Sequence, residues 1–225
     1  MARMARAVFS GVPHHITQRG NRKQNVFFHR EDYVLYKTLL SHFCNRFGVE
    51  IWAYCLMPNH THLVVVPSDC AQLSRAIGEA HRRYTRAINF RNDWRGYLWQ
   101  GRYASFPMDE FYLHACVKYV ELNPVKANLV ESPFHRPWSS AMAHLKRKND
   151  DLVKVGPMLD RVEDWASYLD SSPYAQDEII GIHSRTGRPL GNESFVETLE
   201  NASGRRLRPG KPGRKPGKQG GCSLS

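Results

Sequence analysis

Two histidines stand at the start of an apolar stretch, in the segment His60-Thr61-His62. They follow a Pro-Asn pair that is typical of a turn. Because the side chains of a β-strand alternate between its two faces, both imidazoles project from one face and Thr61 projects from the other. Two neighbouring imidazoles make half of a metal site. In isolation, however, a pair of ordinary histidines at the mouth of a hairpin is the simpler explanation.

A tyrosine and an asparagine lie one helical turn apart farther along the chain. Tyr119 and Asn123 have the four-residue spacing that places two side chains on one face of a helix, and Tyr112 lies two turns earlier on nearly the same face. A hydroxyl and an amide that address one point can serve nucleophilic chemistry. A half-buried tyrosine, with an asparagine that helps to end the helix before Pro124, accounts for the same residues. Only the combination of the histidines with this pair makes the pattern specific.

The elements that must position these residues follow from hydrophobic periodicity. Alternating or continuously apolar runs predict four strands, and apolar residues at helical spacing predict three long helices. The third helix is expected to begin at the N-cap Asp109 and to end before Pro124. The order strand, helix, hairpin, helix, strand, helix matches a ferredoxin-like split βαβ antiparallel sheet with an added C-terminal helix, an α+β fold. The predicted strands cover residues 14–19, 49–56, 60–67 and 97–108, and the predicted helices begin near residues 31, 71 and 110.

Charge divides the chain into three segments. Residues 1–150 hold 21 Lys and Arg against 11 Asp and Glu, residues 151–201 hold 4 against 10, and residues 202–225 hold 7 against none. We therefore expect a basic main domain over 1–150, a small helical accessory segment over 151–201 and a disordered basic tail over 202–225. The surplus of positive charge favours a polyanionic partner, with nucleic acid ahead of an anionic membrane.

The composition argues against several classes of protein. No apolar run approaches the roughly 18 residues that span a bilayer, and the N-terminus lacks the apolar core of a signal peptide. The five cysteines are an odd number and form no CxxC pair, so neither a disulfide framework nor a thiolate zinc site is indicated. A cytoplasmic protein without a membrane partner is expected.

Three stretches resemble one known family in their order and approximate spacing: MPNHTHLVVV, LWQGRYASF and YVELNPVKANLV. They are similar to the single-tyrosine HUH transposases, specifically the REP-associated, IS200-like group, over about residues 13–140. The resemblance implies an enzyme that cleaves and rejoins DNA through a 5′-phosphotyrosine intermediate. It makes Tyr119 the catalytic nucleophile, His60 and His62 the metal-binding pair, and Asn123 the candidate third ligand. The family usually has a bulky apolar residue between the histidines, and Thr61 departs from that pattern on the face turned away from the metal.

The expected cofactor and partner follow from these roles. Imidazole nitrogens with an amide oxygen suit six-coordinate Mg²⁺ or Mn²⁺. The resemblance implies single-stranded or hairpin DNA as partner and leaves both a monomer and a homodimer open. The DNA-contacting residues are predicted to be Arg19, Arg22, Lys23, Arg82, Arg83, Arg86 and Arg102.

Aromatic residues interleave with these cations, a mixture suited to backbone charge combined with base stacking. Solvated arginines beside aromatic residues of the core are the alternative explanation. The aromatic residues concerned are Phe27, Tyr84, Trp99, Tyr103 and Phe106.

Two other functions compete with strand transfer. A ferredoxin-like sheet is also an RNA-recognition scaffold, so a non-catalytic RNA- or DNA-binding protein fits the fold and the charge. A metal nuclease that activates water would need the histidines and not Tyr119. A protein–DNA adduct that resists denaturation separates the three hypotheses.

Overall fold

The computed structural model describes residues 5–171 and 176–209. At its centre lies one antiparallel sheet of four strands in the order β2-β3-β1-β4. This order, with a helix after β1, after β3 and after β4, confirms the α+β, ferredoxin-like arrangement. The strands are β1 (His14–Arg19), β2 (Val49–Met57), β3 (His60–Pro67) and β4 (Ala104–Pro107).

Two helices cover one face of the sheet. They are α1 (Arg30–Arg46) and α2 (Gln72–Arg91). The strands turn residues such as Ile16, Leu63 and Val65 toward them, and these side chains are fully buried. Since side chains alternate along β3, every second residue enters this core and the residues between them face the other way.

A third helix, α3 (Glu110–Lys126), covers the opposite face of the sheet. It begins as predicted, with the Asp109 side chain accepting a hydrogen bond from the Tyr112 backbone N–H at 3.0 Å. Its buried residues include Val117 and Val120, which belong to the same hydrophobic cluster as Val64 of β3. The helix therefore lies over the face to which the even-numbered residues of β3 point.

The prediction that Pro124 ends α3 is wrong, because the helix continues to Lys126. A proline in a helix removes one backbone hydrogen bond, worth about 1 kcal/mol. In the last turn this loss is tolerated, since the backbone N–H groups of Ala127 and Leu129 still donate to the carbonyls of Asn123 and Pro124. Asn123 therefore lies inside the helix and does not serve to end it.

The fourth strand is shorter than predicted, because only residues 104–107 of the expected 97–108 pair with β1. Burial of Leu98, Trp99 and Tyr103 holds the preceding segment as a packed loop. The Gln100 backbone N–H also donates to the Arg19 carbonyl at 2.9 Å. The apolar run thus anchors a loop instead of extending the strand.

Residues 151–201 add short helices that pack on the α3 side of the sheet. Met158, Trp165 and Ile180 are buried in the hydrophobic cluster that contains Val117 of α3. No helix within residues 5–171 or 176–209 is long and apolar enough to cross a membrane. The helices after α3 are α4 (Ala141–Leu145), α5 (Gly156–Leu159), α6 (Trp165–Asp170), α7 (Asp177–Thr186) and α8 (Glu193–Ser203).

The prediction of a disordered tail from residue 202 is wrong for its first part. Helix α8 continues to Ser203, and Leu207 is fully buried against Ala7. The Glu200 carboxylate accepts hydrogen bonds from the backbone N–H groups of Leu207 and Arg208 at 2.6 and 2.9 Å. The prediction from composition considered only the entropy cost of ordering this segment. One buried apolar side chain and these hydrogen bonds offset that cost. Residues 210–225 lie outside the described residues.

A buried histidine far from the α3 face predicts how stability changes with pH. The Tyr36 hydroxyl forms a hydrogen bond with His81 Nε2 at 2.8 Å, and burial lowers the pKa of His81 to about 3. Because this folded-state pKa lies below the unfolded value of about 6.5, the neutral ring contributes its full stabilisation of the folded state above pH 6.5. It is lost as the pH falls toward the folded-state pKa, at about 1.4 kcal/mol per pH unit.

Urea unfolding between pH 7 and 4.5 should therefore show a shallower loss of stability for His81→Gln than for the wild type. Glutamine retains a polar partner for Tyr36 and does not titrate. His42→Gln, at an exposed position of α1, is the control for removing a histidine outside the core. Equal slopes for the wild type and His81→Gln would contradict the prediction.

Candidate active site

The strand β3 places His60 and His62 together on the α3 face of the sheet. Their rings lie edge to face, with centroids 4.9 Å apart and planes at 81°. In the pairing with β1, His62 lies opposite Thr17. Thr61 is fully buried on the other face, where it interacts with Tyr36, as the strand alternation predicts.

Helix α3 brings Tyr119 against this pair of histidines. The Tyr119 ring is edge-on to His62, with centroids 5.3 Å apart and planes at 85°. One turn later, the buried Asn123 side chain interacts with both the Tyr119 hydroxyl and the His60 ring. Tyr112 has its ring contact with the exposed Phe111 instead. The four residues that the sequence groups together thus meet at one place.

Burial keeps both histidines of β3 neutral. Burial, together with the charge of Arg19, lowers the pKa of His60 to about 4, and burial lowers the pKa of His62 well below its ordinary value. A neutral imidazole offers one nitrogen lone pair to a cation. For His60 this nitrogen is Nε2, because its Nδ1–H donates to Asn59 Oδ1 at 2.6 Å. The Asn59 amide nitrogen donates to the Lys23 carbonyl at 3.0 Å, so the amide oxygen faces His60.

The Tyr119 hydroxyl is protonated at rest. Burial raises the pKa of Tyr119 to about 12, and the neighbouring Cys116 and Asp177 act in the same direction. Hydrogen bonding by Asn123 and the charge of Arg19 oppose this rise. At pH 7 only one molecule in about 10⁵ carries the phenolate. A nucleophilic Tyr119 therefore needs a proton acceptor during the reaction itself.

A third histidine, which the sequence-based prediction missed, lies beside His62. His15 of β1 is buried, and its Nε2 lies 3.1 Å from His62 Nδ1 with the two rings parallel to within 4°. The rings of Phe106 and Tyr119 enclose it edge-on. The available signal was that residues 15 and 17 share a strand face and that Thr17 pairs with His62. That signal requires the strand register, which periodicity alone does not give.

The site offers a cation two imidazoles and an amide oxygen. Among the residues that the structure describes, no group of three His, Cys, Asp or Glu is arranged to hold a metal ion. A metal here would be coordinated by His60, His62 and the Asn123 oxygen, and by water or phosphate oxygens. This donor set fits Mg²⁺ or Mn²⁺, which accept oxygen ligands and retain water.

Comparison with known families identifies the chain. The family model described as IS200-like transposase matches residues 8–123. The match spans more than half of the chain and includes all the site residues, from His15 to Asn123. The chain belongs to the IS200-like transposase family. Its activity class is therefore the cleavage and transfer of DNA strands in transposition.

One solved structure shares the fold of this transposase, and a second aligns over a smaller part of it. A REP-associated tyrosine transposase bound to a REP hairpin aligns with a TM-score of 0.55 and 22% identity, over 69% of this chain and 93% of its own. A candidate transposase from Deinococcus radiodurans R1 aligns with a TM-score of 0.37 and 21% identity, over 53% of this chain and 96% of its own. No curated protein matches the sequence. The first likeness supports the fold, and the family match carries the assignment.

The transposase has exposed basic residues beside the site. Arg19, at the end of β1, lies opposite His60 in the strand register. Arg22 and Lys23 follow in a short 3₁₀ turn, both exposed, with φ of 53° and 63°. The bond from Asn59 to the Lys23 carbonyl attaches this basic turn to the histidine hairpin.

A second group of the predicted DNA-contacting residues lies across the sheet. Arg82, Arg83 and Arg86 are exposed on α2, which packs on the face opposite the histidines. Glu79 pairs with Arg82 at 2.6 Å and approaches Arg83 to 4.0 Å, so part of this charge is already balanced. Arg102 is exposed in the loop before β4. The predicted basic set of the transposase is thus divided between two faces.

The aromatic residues predicted to stack on bases belong to the core of the transposase, so for these aromatic residues the alternative explanation is correct. The most exposed aromatic residues in the described ranges are Phe90 and Tyr97, at 89% and 87%. Phe90 falls outside the apolar stripe of α2, and that break in periodicity was the available signal. The buried ones, each at most 6% exposed, are Phe27, Tyr84, Trp99, Tyr103 and Phe106.

The geometry predicts how substitutions change Mn²⁺ binding to the DNA-free protein. His60→Ala and His62→Ala should each weaken binding at least about tenfold, because one imidazole and an amide hold the ion poorly against water. Asn123→Ala should have a smaller effect. Electron paramagnetic resonance during an Mn²⁺ titration measures the bound fraction, and His135→Ala, at an exposed position, is the control. Wild-type affinity in His62→Ala would contradict the metal assignment.

Proposed function

We propose that this transposase cuts and rejoins single-stranded hairpin DNA through a covalent bond between the DNA and Tyr119. The observation that carries the proposal is the position of Tyr119, which contacts His62 and interacts with Asn123 and so lies beside the donor set for a cation. The REP-associated transposase of similar fold is bound to a REP hairpin, which supports the same class of partner here.

In the proposed step the Tyr119 hydroxyl oxygen attacks a backbone phosphorus. A bond forms between Tyr119 Oη and phosphorus, the bond from phosphorus to the 3′ oxygen breaks, and the phenolic proton passes to the leaving oxygen. The products are a 5′-phosphotyrosine and a free 3′-hydroxyl. Because one phosphodiester replaces another, a 3′-hydroxyl of a second strand can reverse the step without ATP. A bound Mg²⁺ or Mn²⁺ supplies charge stabilisation at the phosphate.

The side chains around Tyr119 favour this step in two ways. Asn123 and Arg19 stabilise the charged phenolate, since both lower the pKa of Tyr119 against the effect of burial. Arg19 is also exposed opposite His60, where a guanidinium can pair with a phosphate oxygen of the bound strand. We assign Arg19, Arg22 and Lys23 to the strand nearest the site.

A non-catalytic RNA-recognition role finds little support in this fold. Such modules stack bases on aromatic side chains across one open face of the sheet. Here α1 and α2 cover one face, and α3 with the helices after it covers the other. The water-activating nuclease remains the relevant competitor, because it uses the same histidines and differs only in the role of Tyr119.

Formation of a covalent adduct tests the role of Tyr119. Tyr119→Phe should abolish the adduct and leave hairpin binding nearly unchanged, because the substitution removes only the attacking oxygen. The measurement is a denaturing gel of protein incubated with Mn²⁺ and a labelled hairpin that carries a flanking single strand. Tyr112→Phe makes the same change on the same helix and should form the adduct normally.

Each result separates the hypotheses. Cleavage by the wild type without any adduct would indicate the nuclease. An adduct that survives in Tyr119→Phe would place the nucleophile on another tyrosine.

The basic tail predicts a salt-dependent contribution to binding. Arg205 and Arg208 are already held by the fold, because Arg205 donates to the Ala5 carbonyl at 2.7 Å and Arg208 pairs with Glu200 at 3.3 Å. A truncation should therefore end at Pro209, which keeps the buried Leu207. The cations removed are Lys211, Arg214, Lys215 and Lys218, without a counter-charge.

On single strands each neutralised phosphate contributes about 0.7 to the logarithmic salt slope, so removing four cations lowers the slope by at most about 3. We expect a loss of about 1 to 2, since an arm of this composition rarely engages all its charges at once. Binding across a salt series, for the full chain and the chain ending at Pro209, measures the difference. An unchanged slope would refute a tail contact, and a shifted cleavage position would mean that the tail helps to read the target.

A further inference from the structure

His15 contacts His62 of the proposed metal-binding pair. It is not placed to bind a cation together with His60 and His62. Its Nε2 is engaged by His62 Nδ1 at 3.1 Å, and the ring centroids lie 5.3 Å apart in nearly parallel planes. Phe106 and Tyr119 enclose the His15 ring edge-on, with centroids 5.2 and 5.9 Å away. The ring is thus held in one orientation, with its Nε2 toward His62.

A serine of the C-terminal helices determines which nitrogen of His15 carries the proton. Ser184 of α7 donates its hydroxyl proton to the Ile180 carbonyl at 2.9 Å. The same oxygen lies 3.4 Å from His15 Nδ1. When its one proton is donated to the Ile180 carbonyl, Ser184 Oγ accepts from His15 Nδ1–H. His15 therefore carries its proton on Nδ1 and presents an unprotonated Nε2.

The tautomer of His15 also sets the direction of its hydrogen bond with His62. An unprotonated His15 Nε2 accepts, so His62 Nδ1–H must be the donor, and the lone pair of His62 is left on Nε2. Asn59 fixes the tautomer of His60 in the same way, because it accepts a hydrogen bond from His60 Nδ1–H. Two separate hydrogen-bond chains thus leave the unprotonated nitrogen of each histidine on Nε2, which is the arrangement that metal-binding histidines need from their outer partners.

We propose that His15 is a positioning residue for the metal site, which accepts the Nδ1–H of His62 and is itself held by Ser184. The proposal rests on the proposed function, because it assigns His15 a role toward the cation that His60 and His62 would bind. In this proposal residues 151–201 contribute to the active site, because Ser184 of α7 is the last member of the hydrogen-bond chain that runs from His62 through His15. The affinity of the site for a divalent cation measures this positioning role.

Two substitutions at one position separate positioning from packing. In His15→Phe an aromatic ring remains between Phe106 and Tyr119 and the acceptor is lost. In His15→Gln the side-chain amide oxygen can reach the place of Nε2 and accept from His62. We expect His15→Phe to bind Mn²⁺ about 10- to 100-fold more weakly than the wild type, and His15→Gln to recover most of that loss. Ser184→Ala should weaken binding less than His15→Phe does.

The readouts are Mn²⁺ affinity without DNA, and the ¹⁵N chemical shifts of the His62 ring, which report its tautomer. The wild type and His15→Gln should show His62 protonated on Nδ1, and His15→Phe should show a mixture. Thermal unfolding of each variant identifies loss of fold. Wild-type Mn²⁺ affinity in His15→Phe would overturn the proposal, as would equal losses in folded His15→Phe and His15→Gln.

The outcomes also separate this proposal from the proposed function. A wild-type protein that forms the Tyr119 adduct, with Mn²⁺ affinity indifferent to His15, would overturn the positioning role alone. A wild-type protein that binds no Mn²⁺ and forms no adduct would overturn both.

Discussion

The two-residue alternation of side chains along β3 is the constraint on which the site depends. His60, His62 and Val64 face α3, while Leu63 and Val65 are fully buried against α1 and α2. A slip of one residue would exchange the two sets and place the imidazoles in the hydrophobic core under α1 and α2. The strand is hydrogen-bonded on both sides, by β1 and by β2, and apolar residues fill both faces. The register that the core requires is therefore also the register that aligns the histidines with the helix above them.

The burial that stabilises this arrangement also sets its chemistry. Desolvation opposes the charged form of every group, so it lowers the pKa of His60 to about 4 and raises the pKa of Tyr119 to about 12. These opposite shifts have the same result, because both side chains are neutral at pH 7. The nearby charged side chains that act on these two groups are the exposed Arg19 and, for Tyr119, Asp177. In the proposed reaction, the site receives its further charges from a cation and a phosphate, and its own residues serve to position them.

Hydrophobic periodicity predicted the strands and helices that have a regular apolar pattern. It failed for segments whose structure depends on tertiary contacts. The alternation in β3 and the helical spacing of Tyr119 and Asn123 were sufficient for the hairpin and for α3. The strand predicted over 97–108 was too long because the burial of Trp99 and its neighbours anchors a loop, which looks the same in sequence. The prediction of disorder from residue 202 was wrong for residues 202–209 because the burial of Leu207 and the hydrogen bonds to Glu200 hold them. His15 escaped notice because its role depends on which residue of β3 it faces, and spacing within one strand carries no information about that.

The C-terminal helices raise the question of what holds the tyrosine helix in place relative to the histidines. Lys126, in the last turn of α3, forms an ion pair with Asp177, in the first turn of α7. The Lys126 side chain is half exposed, and such pairs contribute about 0–1 kcal/mol, too little to fix two helices. The larger contribution comes from the shared core, in which Ile180 of α7 and Val117 of α3 are both fully buried. Burying one such side chain stabilises by about 1.5–3 kcal/mol, and it does so without regard to salt. The relative position of α3 and α7 is therefore set by packing.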